Sequence, residues 1–415
     1  MTESASARRI EAPWLTKGML PRLLAVLDRD GETARVVGGA VRNTLLNEPI
    51  GEVDVATTAI PDEVIRRAAA AGFKPVPTGI AHGTITVVIE GQPFEVTTLR
   101  QDVETYGRKA KVAFGRDWKA DAERRDFTIN ALSLSADGTV HDYVGGIADV
   151  EQRRVRFIGD AATRIAEDYL RILRFFRFHA AYGQGAPDQV GLHACIAARA
   201  GLVQLSRERV RMELLKLLVA RRAAETIKIM AEAGLLVAVL GGVPLVTSFA
   251  DMVAVEAATG SEPDPVRRLG ALAVLIVEDA ERLWQRLRLA NVERERLQSM
   301  AEGWWRISPR GGEQAARALL YRLGPQRYVD RVRLAWARAG AAASDAAWRA
   351  LATLPERWTA PAFPLKSADF IARGVEKGPR LGAAMRGAEE AWIAAGFPGD
   401  RAALAAITDA VSRRE

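Results

Sequence analysis

Residues 34–57 read Ala34-Arg-Val-Val-Gly-Gly-Ala-Val-Arg-Asn-Thr-Leu-Leu-Asn-Glu-Pro-Ile-Gly-Glu-Val-Asp-Val-Ala-Thr57. The β-prone start predicts a short strand ending at Gly38-Gly39, and the residues after the glycines predict a helix through Leu46. Two glycines before a helix let the backbone approach a phosphate with its free N–H groups, although such pairs are more often plain turns. Val53-Asp-Val-Ala alternates as a second strand, and Glu52 and Asp54, two apart, then leave the same face. Two carboxylates aimed one way repel each other unless a cation lies between them. Taken alone, the pair reads more simply as a solvated strand face.

Outward from this stretch, Leu20–Leu27 predicts a helix with Pro21 in its first turn, and Pro61-Asp-Glu opens another. Thr84–Ile89 and Phe94–Leu99 read as two strands joined by a turn at Glu90-Gly91-Gln92-Pro93. Glu95 on the second of these adds a third acid, and three acids from two adjacent strands can bind two Mg²⁺ ions, the arrangement for in-line attack on a phosphate. Residues 100–119 are polar and carry glycine, and read as a mobile loop. From about residue 150 the pattern turns helical to the end, with breaks near Gly183–Pro187, Gly241–Pro244, Gly260–Pro265 and Pro361–Pro364. The expected architecture is an α+β N-terminal head (a small mixed sheet with helices) over residues 1–135. An all-α neck (136–220), body (221–310) and tail (311–415) follow it.

The 415 residues are 49% hydrophobic and 26% charged, enough to bury a substantial core. The single cysteine, Cys195, excludes an internal disulfide and a zinc-finger or redox pair, and fits a cytoplasmic location. The N-terminus has no apolar run of signal-peptide length, and no apolar, charge-free run is long enough to span a bilayer. A net charge of +7 attracts polyanions, with a nucleic-acid backbone the commonest.

Gly38-Gly-Ala-Val-Arg-Asn43 followed by Glu52-Val-Asp54-Val-Ala-Thr closely resembles the signature of class II nucleotidyltransferases in the polymerase-β superfamily. That family comprises CCA-adding tRNA nucleotidyltransferases and bacterial poly(A) polymerases. Its usual pattern has Asp at the positions of Glu52 and Asn43, and the extra methylene of Glu52 could displace a metal ligand by about an ångström. Arg124-Arg-Asp126-Phe-Thr-Ile-Asn130 matches the family's second motif. Two adjacent arginines can neutralise a triphosphate, while Asp126 and Asn130 can hold sugar hydroxyls or position the arginines. The resemblance also places Gly39 and Arg42 at the nucleotide, and Asp142–Asp149 resembles the motif leading into the helical part.

Glu167-Asp168-Tyr-Leu-Arg171-Ile-Leu-Arg174 puts Asp168, Arg171 and Arg174 three apart, which predicts a stripe along one side of a helix. Alone it reads as a salt-bridged exposed face. In the family it resembles, Glu-Asp-x-x-Arg serves as a protein template for the incoming base. A carboxylate at Asp168 accepts from the exocyclic amine of cytosine or adenine, and Arg171 donates to the adjacent ring nitrogen, so uracil and guanine are rejected together. Arg108 and Lys109, in a stretch resembling the flexible element that switches the site from C to A, and Arg207 and Arg209, in a basic cluster with Arg211 and Lys216, are candidates for RNA contact. The tryptophans Trp304, Trp305, Trp336 and Trp348 read as helix-packing core.

The resemblance thus implies template-independent addition of the 3′-terminal CCA of tRNA from CTP and ATP, with release of pyrophosphate. Glu52, Asp54 and Glu95 would be the catalytic metal ligands, and no obligate protein partner or membrane is implied. A poly(A) polymerase, a CC-only or A-only enzyme, and a non-catalytic RNA-binding relative are the alternatives. Thr78-Gly-Ile-Ala-His82 looks like the CCA type of head.

Overall fold

The computed structural model describes residues 8–106 and 109–413, with the backbone alone for residues 81, 101–106 and 109–113. Two compact units divide the chain, Met1–Gly241 and Gly242–Glu415. Among the described residues, no helix is long and apolar enough to cross a membrane.

In the first unit the strands are β1 (Ala34–Val37), β2 (Asp54–Thr57), β3 (Lys74–Gly79), β4 (Thr84–Ile89), β5 (Gln92–Thr98), β6 (Arg100–Tyr106), β7 (Lys109–Phe114), β8 (Ser133–Leu134) and β9 (Val140–His141). Seven form one mixed sheet in the order β3-β4-β5-β2-β1-β8-β9, while β6 and β7 pair as a separate hairpin. Only β2 and β5 run parallel. Val36, Val55, Val96 and Ile85 lie side by side across four strands and are fully buried. Helices Leu20–Leu27 and Pro61–Ala70 cover that face. The first presents Leu20, Leu23, Leu24 and Leu27, the i, i+3, i+4, i+7 stripe of a helix packed on one side. The second has proline at its start, Asp62 and Glu63 in its first turn, and a buried Arg67 whose Nη1 donates to the carbonyls of Leu27 (3.1 Å) and Arg29 (2.8 Å). The two helices are thereby locked end to side. The opposite face of the sheet carries Val37, Asp54, Ala56, Glu95 and Thr97 and stays open as a cleft.

Three expectations change. Among the described residues, 100–119 are not one loop: β6, β7 and the start of a helix at Trp118–Glu123 lie there, the helix capped by Asp117 accepting from the N–H groups of Lys119 (2.8 Å) and Ala120 (3.2 Å). Charged residues alternating with small apolar ones, as in Lys109-Ala-Lys-Val-Ala-Phe114, satisfy a two-sided hairpin while looking merely polar in sequence. The second strand starts at Asp54, so Glu52 lies outside the ladder. Trp305 is 58% exposed rather than core, edge-on to Trp304, whereas Trp336 and Trp348 are buried and stacked. β3 is an addition: Pro75 and Pro77 hide it in sequence, and it lies at the sheet edge, where prolines lacking a ladder N–H are tolerated.

The second unit is helical. Its longest element, Gly312–Arg338, turns at Gly324 (φ 73°), just before Pro325, and buries Tyr328, Val332 and Trp336. Beneath it lies a buried charge network. Asp330, fully buried, accepts from Arg267 Nε (2.9 Å), Arg296 Nε (2.8 Å) and Gln326 Nε2 (3.2 Å). Glu256 accepts from Arg267 Nη1 (2.8 Å) and Arg268 Nε (2.6 Å). Removing one member strands buried guanidiniums without a counter-charge. Asp330→Ala is expected to lose about 3–5 kcal/mol of stability, measured as a lowered urea midpoint by circular dichroism; an unchanged midpoint would contradict this role.

Candidate functional site

The cleft begins at the first residue of β2. Asp54 pairs in register with Val37 on β1, and one step on, Val55 pairs with Val96, so Glu95 is the neighbour of Asp54 on β5. Glu52, exposed in the preceding loop, still acts on Asp54. Burial raises the Asp54 carboxyl above the ordinary value of 3.8, the negative charges of Glu95 and Glu52 raise it further, and Arg125 opposes them. Carboxylate oxygens that repel one another are the donor set of a hard divalent cation. Among the described residues, no three His, Cys, Asp or Glu side chains are grouped so as to hold a metal by themselves.

Across a cleft of about 240 Å³, Asp54 and Glu95 face Asp121, Arg124 and Arg125. The backbone at Gly38 has φ 69° and ψ −118°, open to glycine. A Cβ there would sit 3.6 Å from Arg125 Nη1, so the turn before Gly39 and the second arginine lie against each other. Behind the arginines runs a chain of buried polar groups. Asp126 accepts from Asn130 Nδ2 (3.2 Å) and Arg174 Nε (2.7 Å). Asn130 accepts from Arg42, which also donates to Asn43 Oδ1 (2.9 Å) and Tyr182 Oη (2.8 Å) and stacks 3.9 Å over the Tyr182 ring. Arg42 is only 5% exposed, and burial lowers its pKa. It therefore braces the segment from behind rather than lining the cleft.

The expected stripe of Asp168, Arg171 and Arg174 is not one helical face. Asp168 is extended (φ −157°) between the helices Ala161–Glu167 and Leu170–Tyr182, where it accepts from the Leu170 N–H (3.1 Å). Aspartate prefers such a capping position to a helix interior. Its oxygens are met by Arg209, Nη2 to Oδ2 at 2.5 Å and Nη1 to Oδ1 at 3.2 Å. Arg171 pairs with Glu167 and donates to the Arg164 carbonyl (2.7 Å). Arg174 pairs with Asp126 at 2.6 Å and with Glu213 at 3.6 Å, and these carboxylates raise its pKa against the lowering effect of burial.

The structure thus brings Asp54, Glu95, Arg124 and Arg125 to one cleft and places Asp126, Asn130, Arg42 and Arg174 in the scaffold behind it. Arg207 is exposed on Arg207–Leu218, and Arg209 on the same helix is bound to Asp168. Arg108 and the Lys109 side chain lie outside the described residues. Three contributors escaped the sequence reading: Asp121, Tyr182, and Glu213, which is 4% exposed and pairs with Arg177 at 2.5 Å. Asp121 alone left a signal, standing three and four residues before the two arginines.

Residues 34–156 match the family model of the poly A polymerase head domain, and residues 192–247 match that of a probable RNA and SrmB-binding site of polymerase A. The chain is 34% identical to the mitochondrial CCA tRNA nucleotidyltransferase 1 of Homo sapiens over 91% of its own length and 87% of that protein's. It is 42% identical to the Danio rerio protein of the same name, over 66% of this chain and 63% of that one. A crystal structure of the Bacillus stearothermophilus CCA-adding enzyme in complex with CTP superposes with a TM-score of 0.75 at 26% identity, covering 97% of this chain and 98% of that one.

A raised carboxyl pKa means that the folded state binds the proton more tightly than the unfolded chain does, so ionised Asp54 costs stability as pH rises past the ordinary value of 3.8. In metal-free buffer Asp54→Asn should therefore melt above the wild type at neutral pH, with the gap closing as pH falls toward 3.8. Melting curves over that range test the point, and an equal or lower Tm for the variant at pH 7 would refute it.

Proposed function

Because the chain belongs to the family of CCA tRNA nucleotidyltransferases, we propose that it builds or repairs the 3′-terminal CCA of tRNA from CTP and ATP without a nucleic-acid template, releasing pyrophosphate. The observation that carries this reading is the meeting, in one cleft, of the carboxylates Asp54 and Glu95 with the guanidiniums Arg124 and Arg125. A nucleoside triphosphate spans such a cleft naturally, its phosphates drawn to the arginines and its α-phosphate presented to the carboxylate end.

Asp54 and Glu95, with Glu52 beside them, would hold Mg²⁺, which when bound supplies Lewis-acid polarisation and neutralises charge on the phosphates. The remaining work falls to the chain. Arg124 and Arg125 bind the triphosphate. The Gly38–Gly39 turn lets its backbone approach, with the free N–H groups at the start of Gly39–Leu46 directed toward the anion. Asp168 and Arg171 read the base. Arg209 and the Leu170 N–H take three of the roughly four lone-pair sites of the Asp168 carboxylate. An exocyclic amine can take the remaining one, whereas a carbonyl oxygen there is repelled. The helical segments 136–220, 221–310 and 311–415 serve as neck, body and tail for the tRNA. A cytoplasmic setting rests on the lone cysteine.

The test is incubation with Mg²⁺, labelled CTP or ATP, and tRNAs ending before C, CC or CCA, with products resolved at single-nucleotide length. Addition that stops at CCA is expected. Long A tails would identify a poly(A) polymerase instead, and tRNA binding without incorporation a binding module. Asp54→Ala is expected to abolish incorporation with tRNA binding nearly intact, and unchanged turnover would sink the catalytic assignment. Asp168→Ala is expected to reduce the preference for C and A over U and G by roughly tenfold to a hundredfold, the worth of one bidentate base contact; single-nucleotide kinetics with all four triphosphates read this out.

A further inference from the structure

We propose that Asp121 is the positioning residue of the phosphate end of the cleft: one buried carboxylate grips both Arg124 and Arg125 and fixes how they meet the nucleotide. This rests on the reading that those two arginines receive the triphosphate.

The geometry is divided evenly. Oδ1 of Asp121 accepts from Arg124 Nε (2.9 Å) and Nη2 (2.5 Å), and Oδ2 accepts from Arg125 Nε (3.2 Å) and Nη2 (3.1 Å). Each guanidinium is therefore held along its Nε–Nη2 edge, and Nη1 is the nitrogen of each that Asp121 does not bind. For Arg125 that nitrogen lies 3.4 Å from the Asn130 carbonyl and 3.6 Å from where a Cβ on Gly38 would be, at the turn that lets the backbone approach a phosphate. Asp121 is 3% exposed, and the side chains of Arg124 and Arg125 are 17% and 23% exposed. Two adjacent guanidiniums so far out of water repel each other and would swing apart into solvent; a single carboxylate between them removes that repulsion before any nucleotide arrives.

Asp121 itself is held firmly. It lies in the first turn of the short helix Trp118–Glu123, whose N-terminus is capped by Asp117 and whose Trp118 packs on Val37 and Ala56 of the open sheet face and on Leu99 just after β5. The clamp is thus referenced to the same strands that carry Asp54 and Glu95, and the spacing between carboxylate end and arginine end is set by the fold rather than by the ligand.

The experiment compares wild type, Asp121→Asn, Asp121→Glu and Arg125→Ala for four quantities: KM for CTP and for ATP, Ki of inorganic tripolyphosphate, Kd for tRNA, and preference for C and A over U and G. Asn keeps the size of Asp121 but turns an N–H₂ group toward one guanidinium. Asp121→Asn is expected to raise both KM values and the tripolyphosphate Ki together by about tenfold, the scale of one lost charge-assisted hydrogen bond. tRNA binding and base preference should stay at the wild-type level, and Asp121→Glu should fall in between. A folded Asn variant with unchanged tripolyphosphate Ki overturns the proposal. So does a variant in which tRNA binding and base preference decline alongside KM, the mark of a merely structural ion pair. Should the Asn variant fail to fold, the Glu variant decides alone, a wild-type Ki counting against the clamp. Arg125→Ala separates the two layers: if it leaves tripolyphosphate inhibition untouched, the assignment of the arginines to the phosphates fails, whatever Asp121 does.

Discussion

Asp126 shares its carboxylate between Asn130 on its own segment and Arg174 on the helix Leu170–Tyr182, and the neighbouring contacts extend this into a continuous buried chain. Arg42 joins Asn130 to Tyr182, and Glu213 joins Arg174 and Arg177 to the helix Arg207–Leu218. Four separate stretches of sequence are therefore tied by charge-assisted bonds that cannot be exchanged for water without stranding a buried charge. The arginine segment sits at the centre of this chain, and the cleft inherits its rigidity. The aromatic cluster of Phe127, Phe157, Phe175 and Phe178 packs around the same place, with ring separations of 4.9–6.3 Å, and excludes the water that would loosen it.

Charge is sorted along the cleft. Acidic groups gather where β2 begins beside the middle of β5, and guanidiniums where the helix Trp118–Glu123 ends. At the acidic end, burial and then the charges of Glu95 and Glu52, only partly offset by Arg125, make Asp54 hold its proton more tightly than usual. At the basic end the repulsion is relieved internally by Asp121. The asymmetry has a physical sense: a cation and a polyphosphate that arrive together lower the energy most at the acidic end, whereas the arginines must already be in place to receive the phosphates.

Much of this was legible from punctuation. Gly38-Gly39, Pro21 and Pro61 marked the limits of β1 and two helices because each residue constrains φ or removes a donor. The expected turn at Glu90–Pro93 narrows to Glu90-Gly91, since the second strand of the hairpin already begins at Gln92. Glu90 and Gly91 both have positive φ, the signature of the tight turn that joins antiparallel strands. What stayed hidden depended on the third dimension. β3 was masked by prolines that only an edge strand tolerates, and β6 and β7 by a charged sequence that reads as a polar loop. The spacing of Asp168, Arg171 and Arg174 looked like one helical stripe because helix periodicity cannot reveal that Asp168 is extended ahead of the helix, or that Asp168 pairs with Arg209 and Arg174 with Asp126 while Arg171 pairs locally with Glu167. Glu213 and Tyr182 are distant in sequence from everything they hold, and nothing local marks them.

The substitution of Glu for the usual Asp at position 52 gains a physical account from the strand boundary. Asp54 is fixed by its pairing with Val37 and by the parallel register that follows, so a change in side-chain length there would be transmitted whole to any bound ion. Glu52 precedes the ladder, in a loop segment with no sheet partner, and an added methylene there can be taken up by backbone adjustment without moving Asp54 or Glu95. Glutamate keeps the charge that raises Asp54, which is the contribution position 52 makes to the site. The strand's first residue thus divides the acidic pair into one carboxylate held by the ladder and one carried by an adaptable loop, and the replacement falls on the adaptable side.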